Sequence, residues 1–288
     1  MIHDASFFLP GGKAGVLLIH GLTGTPAEMQ ILAKGLNRAG FTVSAVQLAG
    51  HCGTEEDLIK TNWRDWYRSV CDEAGKMLQK VDMLFVGGLS MGAVLALKLA
   101  ADYPDKVKAV GVYGVTFFYD GWSIPFYGRR LGFLATWFKQ LGILQKSAFI
   151  ERPPYGLKDE RIRKTVAESM LAGDSASAGL AGNPFPALAE MVKLSRIVRR
   201  LLPKITVPCL IMHAAHDDIA NIKTNAGLVA RKVAAPVEFV ALENSYHLIT
   251  IDRDRKRVIE KTVEFFSAFC PPRFLARAKP AHRKAGGA

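Results

Sequence analysis

Residues 88–92 read Gly-Leu-Ser-Met-Gly, a G-x-S-x-G pattern centred on Ser90. A short apolar run, Leu84–Gly88, precedes it, and an Ala- and Leu-rich stretch, Met91–Tyr103, follows. Strand, tight turn and helix in that order press a serine into a strained backbone. Its hydroxyl then stands at a helix N-terminus, where the dipole favours developing negative charge. Small residues two before and two after the serine let strand and helix pass without collision. A serine hydroxyl is a weak nucleophile at neutral pH, so this chemistry also needs a base and an acid to orient it.

Seven histidines are available as the base. His3, His20 and His51 precede Ser90, His213 and His216 lie at a strand end and in its loop, and His282 lies near the C-terminus. His247, in Asn244-Ser-Tyr-His247-Leu-Ile, falls between the last strand-like run and the last helical one, where a base reaches over a strand edge to a serine. The acid should follow the preceding strand, which runs into His213-Ala-Ala-His-Asp217-Asp218. Asp217, four residues past His213, is the favoured acid. Asp218 is the alternative, or else it caps the helix that follows. Two converging backbone N–H groups are needed for an oxyanion. The residue after the serine, Met91, supplies one. Leu22, after the glycine of the His20-Gly21-Leu22-Thr23 turn, supplies the other, with His20 expected to pack that loop. The acyl transfer these residues imply requires neither a metal nor an organic cofactor, and no ligand cluster for one is visible.

Strands alternating with helices must hold these groups. Strands are predicted at 15–20, 41–46, 84–88, 107–113, 207–212 and 237–242. Helices are predicted from Pro26, capped by Thr25, to about 39, and at 63–79, 91–103, 187–201, 224–232 and 253–269. That rhythm predicts an α/β fold with a mostly parallel, doubly wound sheet. It breaks between residues 117 and 185, which hold aromatic loops, an apolar helix near 131–144 and a polar one near 158–172. A mainly helical cap, 117–185, is therefore expected to interrupt a core formed by 1–116 and 186–270, with a basic, disordered tail at 271–288. Phe117, Phe118, Trp122 and Phe126 head a supply of cap aromatics that includes Phe133, Trp137 and Phe138. Most should be core, and some should line an acyl pocket for medium or long chains.

The 288 residues are 49% hydrophobic and 22% charged, the reverse of a disordered composition. Cys52, Cys71, Cys209 and Cys270 have no metal-knuckle spacing. The first residues lack a basic region before an apolar core, and no stretch reaches about 18 uninterrupted apolar residues, so a cytoplasmic protein is expected. Net charge is +12, concentrated at Lys193–Lys204 and after Glu264. Without interleaved aromatics this reads as a solvated helix face and a tail, and no nucleic-acid partner is expected. The 131–144 helix, flanked by Arg129, Arg130 and Lys139, is either a buried cap helix or a weak contact with a membrane surface.

Leu-Leu-Ile-His20-Gly-Leu-Thr-Gly-Thr-Pro, Gly50-His51-Cys-Gly, Gly88-Leu-Ser90-Met-Gly, His216-Asp217 and His247-Leu-Ile-Thr-Ile-Asp252 resemble the α/β-hydrolase superfamily. Within it they look like bacterial carboxylesterases of the thermostable monoacylglycerol-lipase type. The likeness spans about 14–115 and 186–269. It implies Ser90 as nucleophile, Asp217 and His247 as its partners, Leu22 and Met91 as oxyanion donors, and small-molecule esters as substrates. The insertion is larger than that family's cap, and the basic tail lies outside the resemblance. A thioesterase or acyltransferase on the same residues, and a non-catalytic ligand receptor on the same fold, are the alternatives.

Overall fold

A computed structural model describes residues 2–125, 147–150, 153–173 and 175–276. Its strands are β1 (Phe7–Leu9), β2 (Ala14–Ile19), β3 (Thr42–Val46), β4 (Met83–Leu89), β5 (Val107–Tyr113), β6 (Ala148–Ile150), β7 (Gly182–Pro184), β8 (Cys209–Ala214) and β9 (Val237–Leu242). Its helices are α1 (Gln30–Arg38), α2 (Glu55–Ile59), α3 (Trp63–Leu78), α4 (Met91–Asp102), α5 (Glu160–Leu171), α6 (Ser175–Ala178), α7 (Phe185–Leu201), α8 (Ala226–Lys232) and α9 (Arg255–Ala268). Seven strands form one sheet in the order β1-β3-β2-β4-β5-β8-β9, parallel throughout except for β1, which runs antiparallel to β3. β6 and β7 form a separate antiparallel pair, in the stretch between β5 and α7.

The central strands are apolar on both faces because both faces are covered. One cluster packs Trp66, Val70 and Met77 of α3, most of α4, and Met191, Leu194 and Val198 of α7 against the sheet. The other packs Leu32 and Leu36 of α1 and Val258, Phe265 and Phe266 of α9, with Phe266 stacked on Phe85 of β4 at 4.9 Å. Each fully buried aromatic or leucine contributes roughly 1.5–3 kcal/mol. The parallel strands all point their C-terminal ends the same way, and the loops leaving β2, β4, β5, β8 and β9 gather there. Open α/β sheets place their sites at that edge.

Local chemistry sets the helix starts. Thr25 accepts from the Ala27 amide, but Pro26–Met29 forms a 3-10 turn before α1, so the predicted single helix is divided. α2, not predicted, begins with a capping box between Thr54 and Asp57. Residues 271–276, expected as part of a tail, are docked on the core. Pro272–Phe274 forms a turn, Phe274 and Leu275 pack on the α1–α9 side, and the Ala276 amide donates to Gly40 O at 2.9 Å. Two apolar side chains within the basic run account for this docking. The expected 131–144 helix lies outside the described residues. No helix among the described residues is long and apolar enough to cross a membrane.

Candidate active site

Ser90 sits between β4 and α4 with φ 57° and ψ −116°. This conformation is costly for any residue with a Cβ and persists only when its surroundings impose it. The surroundings are visible. A Cβ on Gly88 would lie 2.1 Å from Gly92 O, and one on Gly92 would lie 2.1 Å from Ile19 O. Strand and helix therefore cross at backbone contact, and the Ser90 amide is tied to Tyr113 O of β5 at 2.9 Å.

His247, in the loop after β9, is brought beside this turn. Its Nδ1 lies 2.8 Å from Asp217 Oδ2 and 3.1 Å from Oδ1. An ionised carboxylate only accepts, so Nδ1 carries the proton and Nε2 presents a lone pair. Nε2 lies 3.4 Å from Thr116 Oγ1, and the same hydroxyl lies 3.1 Å from Ser90 Oγ. Thr116 thus stands between the serine and the imidazole. Its proton has an acceptor in Gly114 O at 3.1 Å, leaving its lone pairs for the Ser90 hydroxyl. Thr116 was not among the residues picked from the sequence. Its one signal is position: it follows the β5 end by three residues, on the strand next to that of Ser90.

Asp217 and Asp218 have separate tasks. Asp217 Oδ1 accepts the Ile219 and Ala220 amides at 2.8 Å each, so this residue, rather than Asp218, caps the turn that follows. Burial works to raise its pKa, but the facing His247 imidazole and the hydrogen bonds from His213 and His247 hold it well below the usual carboxylate range. Asp218 is raised, by burial first and then by the charge of Asp217. Its Oδ1 accepts the His247 amide at 3.2 Å and its Oδ2 the Gly156 amide at 2.9 Å. Asp252 accepts the amides of Lys158, Asp159 and Tyr246 at 2.8–2.9 Å. The two carboxylates join the 156–159 segment to the loop that carries His247.

Leu22 lies at the β2 end, in a turn where Gly24 N donates to Gly21 O at 3.3 Å and Thr23 has φ 60°. Among the described residues, neither the Leu22 nor the Met91 amide donates to a protein acceptor. His20 packs this loop: Nδ1 donates to Gly21 O at 2.9 Å and Nε2 accepts from Leu48 N at 3.2 Å. His51 lies edge-on to His20 and to Trp66, with Nδ1 donating to Ala49 O at 3.1 Å. Burial holds both rings neutral, His51 down to about 4 and His20 well below its ordinary value. Both folded pKa values lie beneath the unfolded value of about 6.5. Their stabilisation is therefore complete above about pH 6.5 and is lost as pH falls toward about 4. Urea midpoints should decline across that window. His51→Asn, which keeps a donor toward Ala49 but cannot titrate, should decline less. Equal slopes for the two proteins would contradict this.

A cavity opens over Ser90 and His247. Leu22, Ile219 and Leu248, together with Val166, Met170, Ala178 and Leu180 from the stretch between β5 and α7, supply its apolar lining, and Thr23, Glu28, Tyr119, Tyr155 and Asn183 its polar lining. Of the aromatics expected there, Phe117, Phe118 and Trp122 are absent from its lining. Phe117 is buried in the core, and its amide and that of Phe118 are held by Asn225 Oδ1 at 2.7 and 2.9 Å. The Phe118 ring lies under the Arg199 guanidinium at 4.5 Å. Trp122 is 54% exposed, edge-on to Tyr246, with Nε1 donating to His216 O. These hydrogen bonds tie the chain after β5 to the β8 loop and leave Tyr119, rather than Phe117, Phe118 or Trp122, in the cavity lining. Phe126 lies outside the described residues. Among the described residues, no group of three or more His, Cys, Asp or Glu is placed to hold a metal.

The model of a protein family described as serine aminopeptidase, S33, matches residues 11–254. The chain belongs to the serine aminopeptidase S33 family of α/β-hydrolases. This S33 hydrolase is 30% identical over 262 residues to the thermostable monoacylglycerol lipase of Bacillus sp. (strain H-257), covering 91% of this chain and 93% of that one. It is 25% identical to a carboxylesterase of Bacillus subtilis (strain 168), over 90% and 94% of the two chains. Among solved structures, one from work on the metagenome-derived lipolytic enzymes LipS and LipT matches with a TM-score of 0.75 at 25% identity, over 91% and 97%. A soluble variant of the monoglyceride lipase of Saccharomyces cerevisiae matches with a TM-score of 0.76 at 16% identity, over 92% of each chain, and speaks for the fold alone.

Proposed function

We propose that this S33 hydrolase cleaves carboxylic esters through an acyl-serine intermediate, with Ser90 as nucleophile, His247 as base and Asp217 as the acid that orients it. The observation that carries the reading is the 2.8 Å bond from His247 Nδ1 to Asp217 Oδ2, which leaves Nε2 unprotonated beside a hydroxyl shared with Ser90. Ser90 Oγ swings from Thr116 toward the ester carbonyl and gives its proton to Nε2. The carbonyl oxygen becomes an oxyanion held by the Leu22 and Met91 amides. The alcohol departs with the proton from Nε2, and water, activated by the same nitrogen, releases the acid. Each oxyanion donor is worth about 2.7–4 kcal/mol in the transition state.

The substrates in this reading are neutral esters with medium or long acyl chains. Val166, Met170, Leu180 and Leu248 offer an apolar wall to the chain, and residues 117–185 serve as the cap. The two relatives carry the names monoacylglycerol lipase and carboxylesterase, which agrees with this substrate class. The test is turnover of p-nitrophenyl esters from acetate to palmitate, with an acyl-thioester panel alongside and labelling by a fluorophosphonate probe. The expected result is stoichiometric labelling of Ser90 and a preference beyond butyrate. A sharp optimum at acetate removes the lipid-like substrate. An unlabelled, inactive protein removes the enzyme reading in favour of a receptor.

A further inference from the structure

We infer that His213 is a positioning residue for this reaction: a neutral imidazole at the end of β8 that donates its Nε2–H to Asp217 and so fixes that carboxylate against His247. The inference rests on the reading of Ser90, Asp217 and His247 given above.

His213 is fully buried. Its Nε2 lies 2.8 Å from Ala220 O and 3.2 Å from Asp217 Oδ2. Both partners are acceptors, so Nε2 bears the hydrogen and shares it between them. Its Nδ1 is buried without a partner among the described residues. A proton on Nδ1 would be a buried N–H with no acceptor, a state that folded proteins avoid. The ring is therefore neutral and a fixed donor, in one tautomer.

Without that donor the carboxylate is held by two amides at Oδ1 and by the His247 imidazole alone at Oδ2. Asp217 Oδ1 receives the Ile219 and Ala220 amides. Oδ2 receives His247 Nδ1 and His213 Nε2. Remove the His213 donor, and His247 alone restrains Oδ2. The carboxylate is then free to pivot about Oδ1 and carry the imidazole with it, and displacements of this size cost up to about a hundredfold in rate. The titratable groups acting on this carboxylate are His247 and His213, and Asp218 in turn feels Asp217 and His247. With one donor fewer, Asp217 is the more basic partner and stabilises the His247 imidazolium further.

Three substitutions separate donation from packing. In His213→Gln the amide nitrogen falls near the place of Nε2 and keeps the donor. His213→Asn is too short to reach, and His213→Leu fills the space without donating. The Gln variant should keep kcat within about threefold, while Asn and Leu lose about tenfold to a hundredfold in kcat at unchanged KM. The acid limb of kcat/KM should move to higher pH in Asn and Leu and stay in place in Gln. Equal kcat and equal acid limbs for Gln and Leu overturn the inference. Nitrogen NMR of the unsubstituted protein tests it without any variant: His213 should show Nε2–H and a bare Nδ1. A hydrogen on Nδ1 overturns it. Wild-type ester turnover is measured first. Its absence defeats the triad reading, whereas turnover with indistinguishable Gln and Leu variants defeats this inference alone.

Discussion

Ser90→Ala should lower kcat toward carboxylic esters by about six orders of magnitude and leave the fold unchanged. The size follows from what the hydroxyl does: without it no acyl-enzyme forms, and the imidazole and amides can only assist water. The structural cost is small because the bond lost is the one between Ser90 Oγ and the Thr116 hydroxyl. Alanine keeps a Cβ at φ 57°, so the backbone strain stays. Ser90→Gly, equally inactive, should be more stable than Ser90→Ala by about 1 kcal/mol, since glycine occupies that region without penalty. Calorimetry with an ester assay and fluorophosphonate labelling checks all three statements. Labelling at another residue in Ser90→Ala, with turnover retained, would transfer the nucleophile elsewhere.

Asp217→Asn should cost about four orders of magnitude in kcat, while Asp218→Asn costs no more than about tenfold. The two residues are adjacent, and sequence reasoning separates them weakly, so the contrast tests the assignment sharply. An amide at 217 can turn its NH2 toward His247 Nδ1. That nitrogen then becomes an acceptor, the proton moves to Nε2, and the imidazole no longer takes the Ser90 proton. Asparagine at 218 keeps one acceptor oxygen of the two that bind the His247 and Gly156 amides. The lost bond lowers stability by about 1–3 kcal/mol without altering the tautomer. Steady-state kinetics and thermal melts of both variants decide. A larger kcat loss at 218 than at 217 would reverse the roles.

Much of this arrangement was legible before any coordinates. β5 and β9 fall where periodicity placed them, and β4 and α4 within a residue or so, because a buried parallel strand is an uninterrupted apolar run and Gly88 and Gly92 mark a crossing that no side chain tolerates. His247 stands in the loop after β9, the segment in which the sequence expects a base, and its ring meets Asp217 and lies beside the serine turn. What escaped had little signal of its own. β1 is three residues long and earns its place only by pairing with β3. Thr116 and His213 matter through neighbours dozens of residues away or across a loop, and nothing in their own segments marks them. For Phe117 and Trp122, residue type reports a tendency to be buried or to stack, not which cavity is faced. Phe117 satisfies it in the core and Trp122 against Tyr246.

Asp218 and Asp252 bind amides from the insertion and from the histidine loop at once. The segment carrying Gly156, Lys158 and Asp159 is therefore not a cassette. Transplanting the insertion of another hydrolase onto this core would import a new chamber and, unless donors equivalent to Gly156, Lys158 and Asp159 came with it, would leave two inward carboxylates without their ligatures. Engineering for new substrates is better aimed at Val166, Met170 and Leu180 than at wholesale exchange.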